Sequence, residues 1–124
     1  MKTMKLICAS ILGAVALLGF APGAAEAEAY RHYVACGINK KATPSHVCAR
    51  GAKKGAFFKS KRRDVHYTVC LRLPRGRSIC ARRQLAEQGT LYVNTISTEV
   101  PGKHRITWFV RGERVGAFIF RVRG

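Results

Sequence analysis

The residues of this chain best equipped for chemistry are its cations. Between positions 50 and 63 stand Arg50, Lys53, Lys54, Lys59, Lys61, Arg62 and Arg63, with Phe57 and Phe58 in their midst. Such side chains release counterions when they neutralise a polyanion, and an aromatic among them can stack on a base or pack on a sugar. The competing reading is a core phenylalanine between solvated loops. Strand alternation then turns one of the two rings inward and the other outward. A second cluster, Arg72, Arg75, Arg77, Arg82 and Arg83, surrounds Pro74 and Gly76. Guanidiniums on the outer face of a sheet bind phosphate or carboxylate bidentately. Whether the two clusters merge depends on the fold.

Other chemistry has little to work with. After residue 27 the carboxylates are Glu28, Asp64, Glu87, Glu99 and Glu113, scattered along the chain. A serine triad needs a carboxylate to orient its histidine, and no G-x-S-x-G elbow is present. Asp64, between Arg63 and His66, reads as a strand-start ion pair. His32, His46, His66 and His104 are dispersed and read as surface residues rather than metal ligands. No C-x-x-C or H-x-x-x-H pair suggests zinc. The expectation is therefore a non-enzymatic protein with no catalytic residue, no metal and no cofactor. A protease inhibitor is the alternative, with Pro74-Arg75-Gly76-Arg77 offering arginine to a trypsin-like pocket, although a tight hairpin fits an extended protease-binding loop poorly. A purely structural or interaction domain is the third reading.

The first residues set the compartment. Lys2 and Lys5 precede an uncharged apolar run from Leu6 to Ala21, which Pro22 and Gly23 break. Ala25-Glu26-Ala27 and Ala27-Glu28-Ala29 both have the A-x-A form. This is the pattern of a secretory signal peptide, and the run is shorter than the roughly 20 residues of a membrane span. The signal peptide is assigned to 1–27, with cleavage as late as residue 29, and a single domain to 28–124. Cys8 is lost with the signal. The chain has 23 Lys+Arg against 6 Asp+Glu; removing Lys2, Lys5 and Glu26 leaves 21 against 5, a net of +16. Such a chain attracts anionic surfaces. The partners this implies are an anionic cell-wall polymer, a membrane surface, or nucleic acid bound without sequence preference, and the location is extracellular or envelope-associated.

A domain this small buries only about two-thirds of its unfolded surface and needs reinforcement. Cys36, Cys48, Cys70 and Cys80 supply it, since an even count in an exported chain points to disulfides. Of three connectivities the sequential one is favoured, Cys36–Cys48 and Cys70–Cys80. Each closes a short loop worth about 3 kcal/mol in the chain-entropy model.

The elements that must position these residues have a period of two. Strands are expected at 30–36, 47–49, 56–58, 65–73, 78–81, 90–100, 103–110 and 115–122, and an irregular corner or helical turn at 82–88. In the clearest strand Val65, Tyr67, Val69, Leu71 and Leu73 face one way, as in an antiparallel sheet with one wet face. If Leu73 and Arg77 close a three-residue loop, with Gly76 in its left-handed position, Cys70 falls opposite Cys80 on the face away from the core. That register also sets Arg83 against inward-facing Tyr67, so the pairing must bulge or end there. Ile106, Trp108 and Val110 share a face, as do Phe118, Phe120 and Val122. A two-residue turn between the strands would put the two sets on opposite faces unless a bulge near Gly116 intervenes.

About seven short strands with turn signals between them predict an all-β, immunoglobulin-like antiparallel sandwich. The segment Gly102-Lys103-His104-Arg105-Ile106-Thr107-Trp108-Phe109-Val110, then Gly112, then Val115-Gly116-Ala117-Phe118-Ile119-Phe120-Arg121-Val122 resembles the last two strands of a bacterial immunoglobulin-like domain. The Cys pair, Ala56-Phe57-Phe58, the Tyr67-Thr68-Val69-Cys70 strand and this hairpin together resemble a group of small secreted actinobacterial proteins of unknown function. The resemblance implies a fold and carries over no site.

Overall fold

The computed structural model describes residues 29–124; the signal peptide assignment, its cleavage sites and Cys8 lie outside the described residues. Among these, the strands are β1 (Tyr30–Ala35), β2 (Val47–Cys48), β3 (Lys54–Ser60), β4 (Val65–Arg72), β5 (Ser78–Cys80), β6 (Gln84–Ala86), β7 (Leu91–Ile96), β8 (Gly102–Val110) and β9 (Glu113–Val122). They form two sheets. The small one runs β1-β3-β7, and the large one β2-β9-β8-β4-β5, with β6 also on β4. All pairings are antiparallel except β2 with β9.

The β8–β9 hairpin resolves the face conflict in the sequence. Val110 pairs with Glu113, so the loop is Arg111-Gly112 alone. Both residues have positive φ, 53° and 80°, the requirement of a type I′ turn. The register then slips. Phe109 pairs with Arg114 but Trp108 with Gly116, leaving Val115 as an extra residue. Beyond the slip Ile106 faces Phe118 and His104 faces Phe120. One residue of slip exchanges the two faces of a strand, and here it brings both apolar sets to the core.

The β4–β5 hairpin closes through Leu73 N–H donating to Arg77 C=O at 2.8 Å, with Gly76 at φ 88°. Cys70 pairs with Cys80, and the two are bonded. Within the expected corner at 82–88, Gln84–Ala86 forms strand β6 and the flanking residues are irregular. A one-residue shift between the two ladders sets Gln84, not Arg83, opposite Tyr67, and β6 continues the pairing. An edge bulge thus spares Arg83 an inward position.

The main core lies between the sheets, where Phe58, Tyr67, Ile106, Trp108 and Phe120 are almost fully buried. Phe58 stacks on Tyr30 and Tyr67 at 5.5 and 4.2 Å between ring centroids. A second, smaller core lies on the other side of β3. Phe57 stacks on Tyr33 at 4.8 Å, with Ala35, Ala42 and Leu91 around them. The loop that returns from β1 to β2 covers this face. Ser45 N–H donates to Val34 C=O at 2.9 Å, Ala35 bridges Pro44, and Cys36–Cys48 closes the loop. Both phenylalanines are therefore buried, and the expectation that one points to solvent fails because a loop roofs the outer face.

Gly116 is the described glycine with least room for a side chain. A Cβ there would run into the imidazole of His32, which itself packs on Trp108 at 5.0 Å. Overpacking of this kind costs about 1–3 kcal/mol. Gly116→Ala should lower the urea midpoint accordingly, and adding His32→Ala should return part of the loss. Equal and additive losses in the double variant would place the strain elsewhere.

Candidate anion-binding surface

The first basic cluster is divided by the strand that runs through it. From Lys54 to Ser60 an extended chain covers about 20 Å. Lys53 emerges exposed at one end, and Lys61, Arg62 and Arg63 at the other. Lys59 lies between, half-buried on the outer face of the small sheet beside Arg31. Lys54 leaves the candidate surface altogether. It is 1% exposed, its Nζ donates to Ala52 C=O at 2.5 Å, and Glu99 Oε1 lies 3.8 Å away. With Phe57 and Phe58 both buried, neither ring is free to stack on a ligand.

The second cluster becomes part of a larger surface. On the outer face of the large sheet Arg72 pairs with Arg105, and Lys103 with Arg121. Lys103 and Arg105, two apart on β8, share that face. Arg114, opposite Phe109, extends it. Among the described residues no outward position of β4, β8 or β9 on this face is a carboxylate. Arg72, Lys103 and Arg105, with Pro74 and Ile119, line a shallow groove of about 240 Å³. Arg75 and Arg77 stand exposed in and beside the adjoining hairpin loop, and Arg82 is exposed on the segment between β5 and β6. Lys103, Arg105, Arg114 and Arg121 were not candidates in the sequence. Their signal is the alternation of cations with apolar residues along β8 and β9, which gathers charge across strands rather than along the chain.

Like charges placed directly opposite across strands destabilise a sheet. Arg72–Arg105 and Lys103–Arg121 are two such pairs on one face. Lys54–Glu99 is the one ion pair within 4 Å among the described residues, so no described carboxylate pairs with them.

At the opposite end of the large sheet, Arg63 of the first cluster and Arg83 of the second do meet. They line a recess of about 410 Å³ together with Arg111, Asp64, His66 and Thr68. Asp64 is not the ion pair expected of it. Its Oδ1 accepts the Gln88 N–H at 2.8 Å and fixes the loop between β6 and β7.

Two histidines also depart from expectation. His104 is buried, stacked on Phe120 at 5.0 Å. Its Nδ1–H donates to Gly102 C=O at 3.0 Å, and its Nε2 lies 3.3 Å from Thr98 Oγ1. Thr98 Oγ1 also accepts the Val100 N–H. Burial holds His104 below the ordinary imidazole range, opposed by the bond to Gly102 and assisted by Lys54. Burial likewise lowers His32. His46 stacks on Phe118 at 4.2 Å, and His66 is exposed. Among the described residues no three His, Cys, Asp or Glu gather as a metal site. A larger cleft, about 490 Å³, opens between the β7 and β5 edges, walled by Leu71, Leu73, Ile79 and Val100 with Glu99 its one charged residue. It has the makings of a hydrophobic opening rather than of a reactive centre.

No protein-family model and no curated protein matches the chain. Solved structures do. An immunoglobulin-like protein from Pseudomonas aeruginosa is similar over 76% of this chain and 91% of its own, at 16% identity and a TM-score of 0.50. An alkylpurine DNA glycosylase from Pseudomonas fluorescens, bound to DNA containing an abasic site analogue, is similar over 76% of this chain at 17% identity and a TM-score of 0.48. This chain spans only 29% of that enzyme. The fold is therefore an immunoglobulin-like β-sandwich. Its two disulfides are compatible with an extracellular protein.

Replacing Lys54 by Met should leave retention on an anionic polymer unchanged. It should alter stability by no more than about 1 kcal/mol, because the charge left behind, Glu99, is exposed and solvated. Weakened retention would return Lys54 to the surface. For the histidines, the unfolded chain titrates near the free value of about 6.5, above the folded values. As pH falls below 6.5 the unfolded state takes up protons that the folded state refuses. Their contribution to stability is thus complete above that pH and is lost as pH falls toward the folded values. Urea midpoints at pH 7.5 and 5.0 should show the loss, and His104→Gln should shrink it. An unchanged difference in that variant would assign the acid sensitivity to other groups.

Proposed function

We propose that this is an exported, non-catalytic module that binds an anionic polymer of the cell envelope, or a comparable polyanion, on the outer face of its large sheet. The observation that carries the reading is the pair of unneutralised cross-strand cation pairs, Arg72–Arg105 and Lys103–Arg121, on a face without carboxylates. A polyanion laid across the strands relieves this repulsion and releases its own counterions. Arg75 and Arg77 extend the contact at one edge. The groove beside Ile119 supplies shape but little depth, which suits an extended chain better than an enclosed small molecule.

The hairpin offers no comparable support for protease inhibition. Arg75 lies within a closed turn whose ends are bonded through Leu73 and Arg77, and no extended segment carries it.

Retention of the oxidised mature protein on an immobilised anionic polymer, measured across a salt series, tests the reading. Affinity should fall steeply with salt. The variant Arg72→Gln, Lys103→Gln, Arg105→Gln, Arg121→Gln should reduce the log–log slope by about one per cation removed. Replacing Lys53, Lys61 and Arg62 by Gln should reduce it far less. A quadruple variant that keeps the full slope would exclude this face. Equal retention of native and reduced, alkylated protein would show charge without a shaped surface.

A further inference from the structure

The recess at the far end of the large sheet has the composition of a site for a single compact anion. Arg63 comes from the β3–β4 turn, Arg83 from the bulged segment between β5 and β6, and Arg111 from the β8–β9 turn. Three segments far apart in the sequence thus bring three arginines to the lining of one recess of about 410 Å³, a volume in the range of small-ligand sites. Asp64, the one carboxylate among its described lining residues, points one oxygen at the Gln88 N–H and makes no ion pair within 4 Å; Glu113 lines an adjoining recess with Arg63 and Arg111. Thr68 and His66 line the same wall.

The backbone gives an independent sign. Arg111 is the one non-glycine described residue with positive φ, at 53°. An arginine gains nothing there that glycine, asparagine or aspartate would not supply more cheaply, since these are the residues a type I′ turn prefers. Unfavourable backbone held at a recess is where functional constraint is found.

We propose that this recess binds a phosphomonoester group, the dianion fitting between Arg63, Arg83 and Arg111. Each guanidinium presents a planar fork that grips two oxygen lone-pair directions. Three forks exceed what one carboxylate can accept. They match the three terminal oxygens and the charge near −2 of a phosphomonoester at neutral pH. The site lies at the opposite end of the large sheet from the groove of Arg72 and Lys103, so it stands or falls separately from polymer binding on the outer face.

The probe is inorganic phosphate, titrated into the folded chain at constant ionic strength and followed by amide chemical shifts. Saturable shifts confined to residues 63–68, 83 and 111–112 are expected. Arg111→Gly, which removes the guanidinium while relieving the backbone, should weaken binding about tenfold, as should Arg83→Gln. The quadruple outer-face variant should bind phosphate normally. Shifts that chloride at the same ionic strength reproduces, or that survive both arginine replacements, would overturn the proposal. Vesicles identify the source of the group once phosphate binding is established. Preference for phosphatidic acid over phosphatidylglycerol, lost in Arg111→Gly, means a lipid headgroup; no preference, with phosphate binding intact, means a soluble phosphate ester.

Discussion

The bulge at Val115 does two things at once. Without it, the Arg111-Gly112 turn would set Ile106 opposite Ala117 and send Phe118 and Phe120 to solvent. With it, the inward-facing side chains of β8 and β9 beyond the slip are apolar on both strands apart from His104, and those facing outward include Lys103, Arg105, Arg114 and Arg121. Core and basic face are thus two sides of one register. The glycine beside the bulge is small because His32 occupies the space above it, so the same few residues also set how closely β1 approaches β9.

The second constraint is the loop closed by Cys36–Cys48. Cys36 follows β1 of the small sheet and Cys48 lies in β2 of the large one. The bond therefore ties the sheets together and also holds Ala42 over Tyr33 and Phe57. In a domain this small, burial on both sides of β3 adds apolar area that a two-layer sandwich would otherwise leave wet. Each buried aromatic side chain is worth about 1.5–3 kcal/mol, and this stabilisation works against the repulsion of an excess of cations that, among the described residues, one close ion pair relieves.

Local geometry was legible in the chain wherever a turn fixed a register. Gly76 and the Leu73–Arg77 closure sufficed to place Cys70 against Cys80, and the clash of faces around Trp108 and Phe118 was enough to call for a bulge beside Gly116. Sites were less legible, because clusters in sequence are not clusters on a sheet. Lys54 and Lys61 looked like one patch but lie at opposite ends of β3. Arg72 and Arg105, far apart in the chain, are direct neighbours. Burial of Phe57 depended on a polar loop folding back over it, and burial of His104 on a hydrogen-bonded loop from Thr98 to Gly102. Neither has a periodicity to betray it.

The placement of the inter-sheet bond has a mechanical meaning. Cys36–Cys48 binds the sandwich along the side where β1 meets β2 and β9, whereas Cys70–Cys80 lies within a single sheet. The other long side, between β7 and β5, is the open apolar cleft. The molecule is built like a book, with a covalent spine and an unclasped fore-edge. Fluctuations that part the sheets will begin at the fore-edge, so β7 and β5 should exchange their amide hydrogens sooner than β1 and β9.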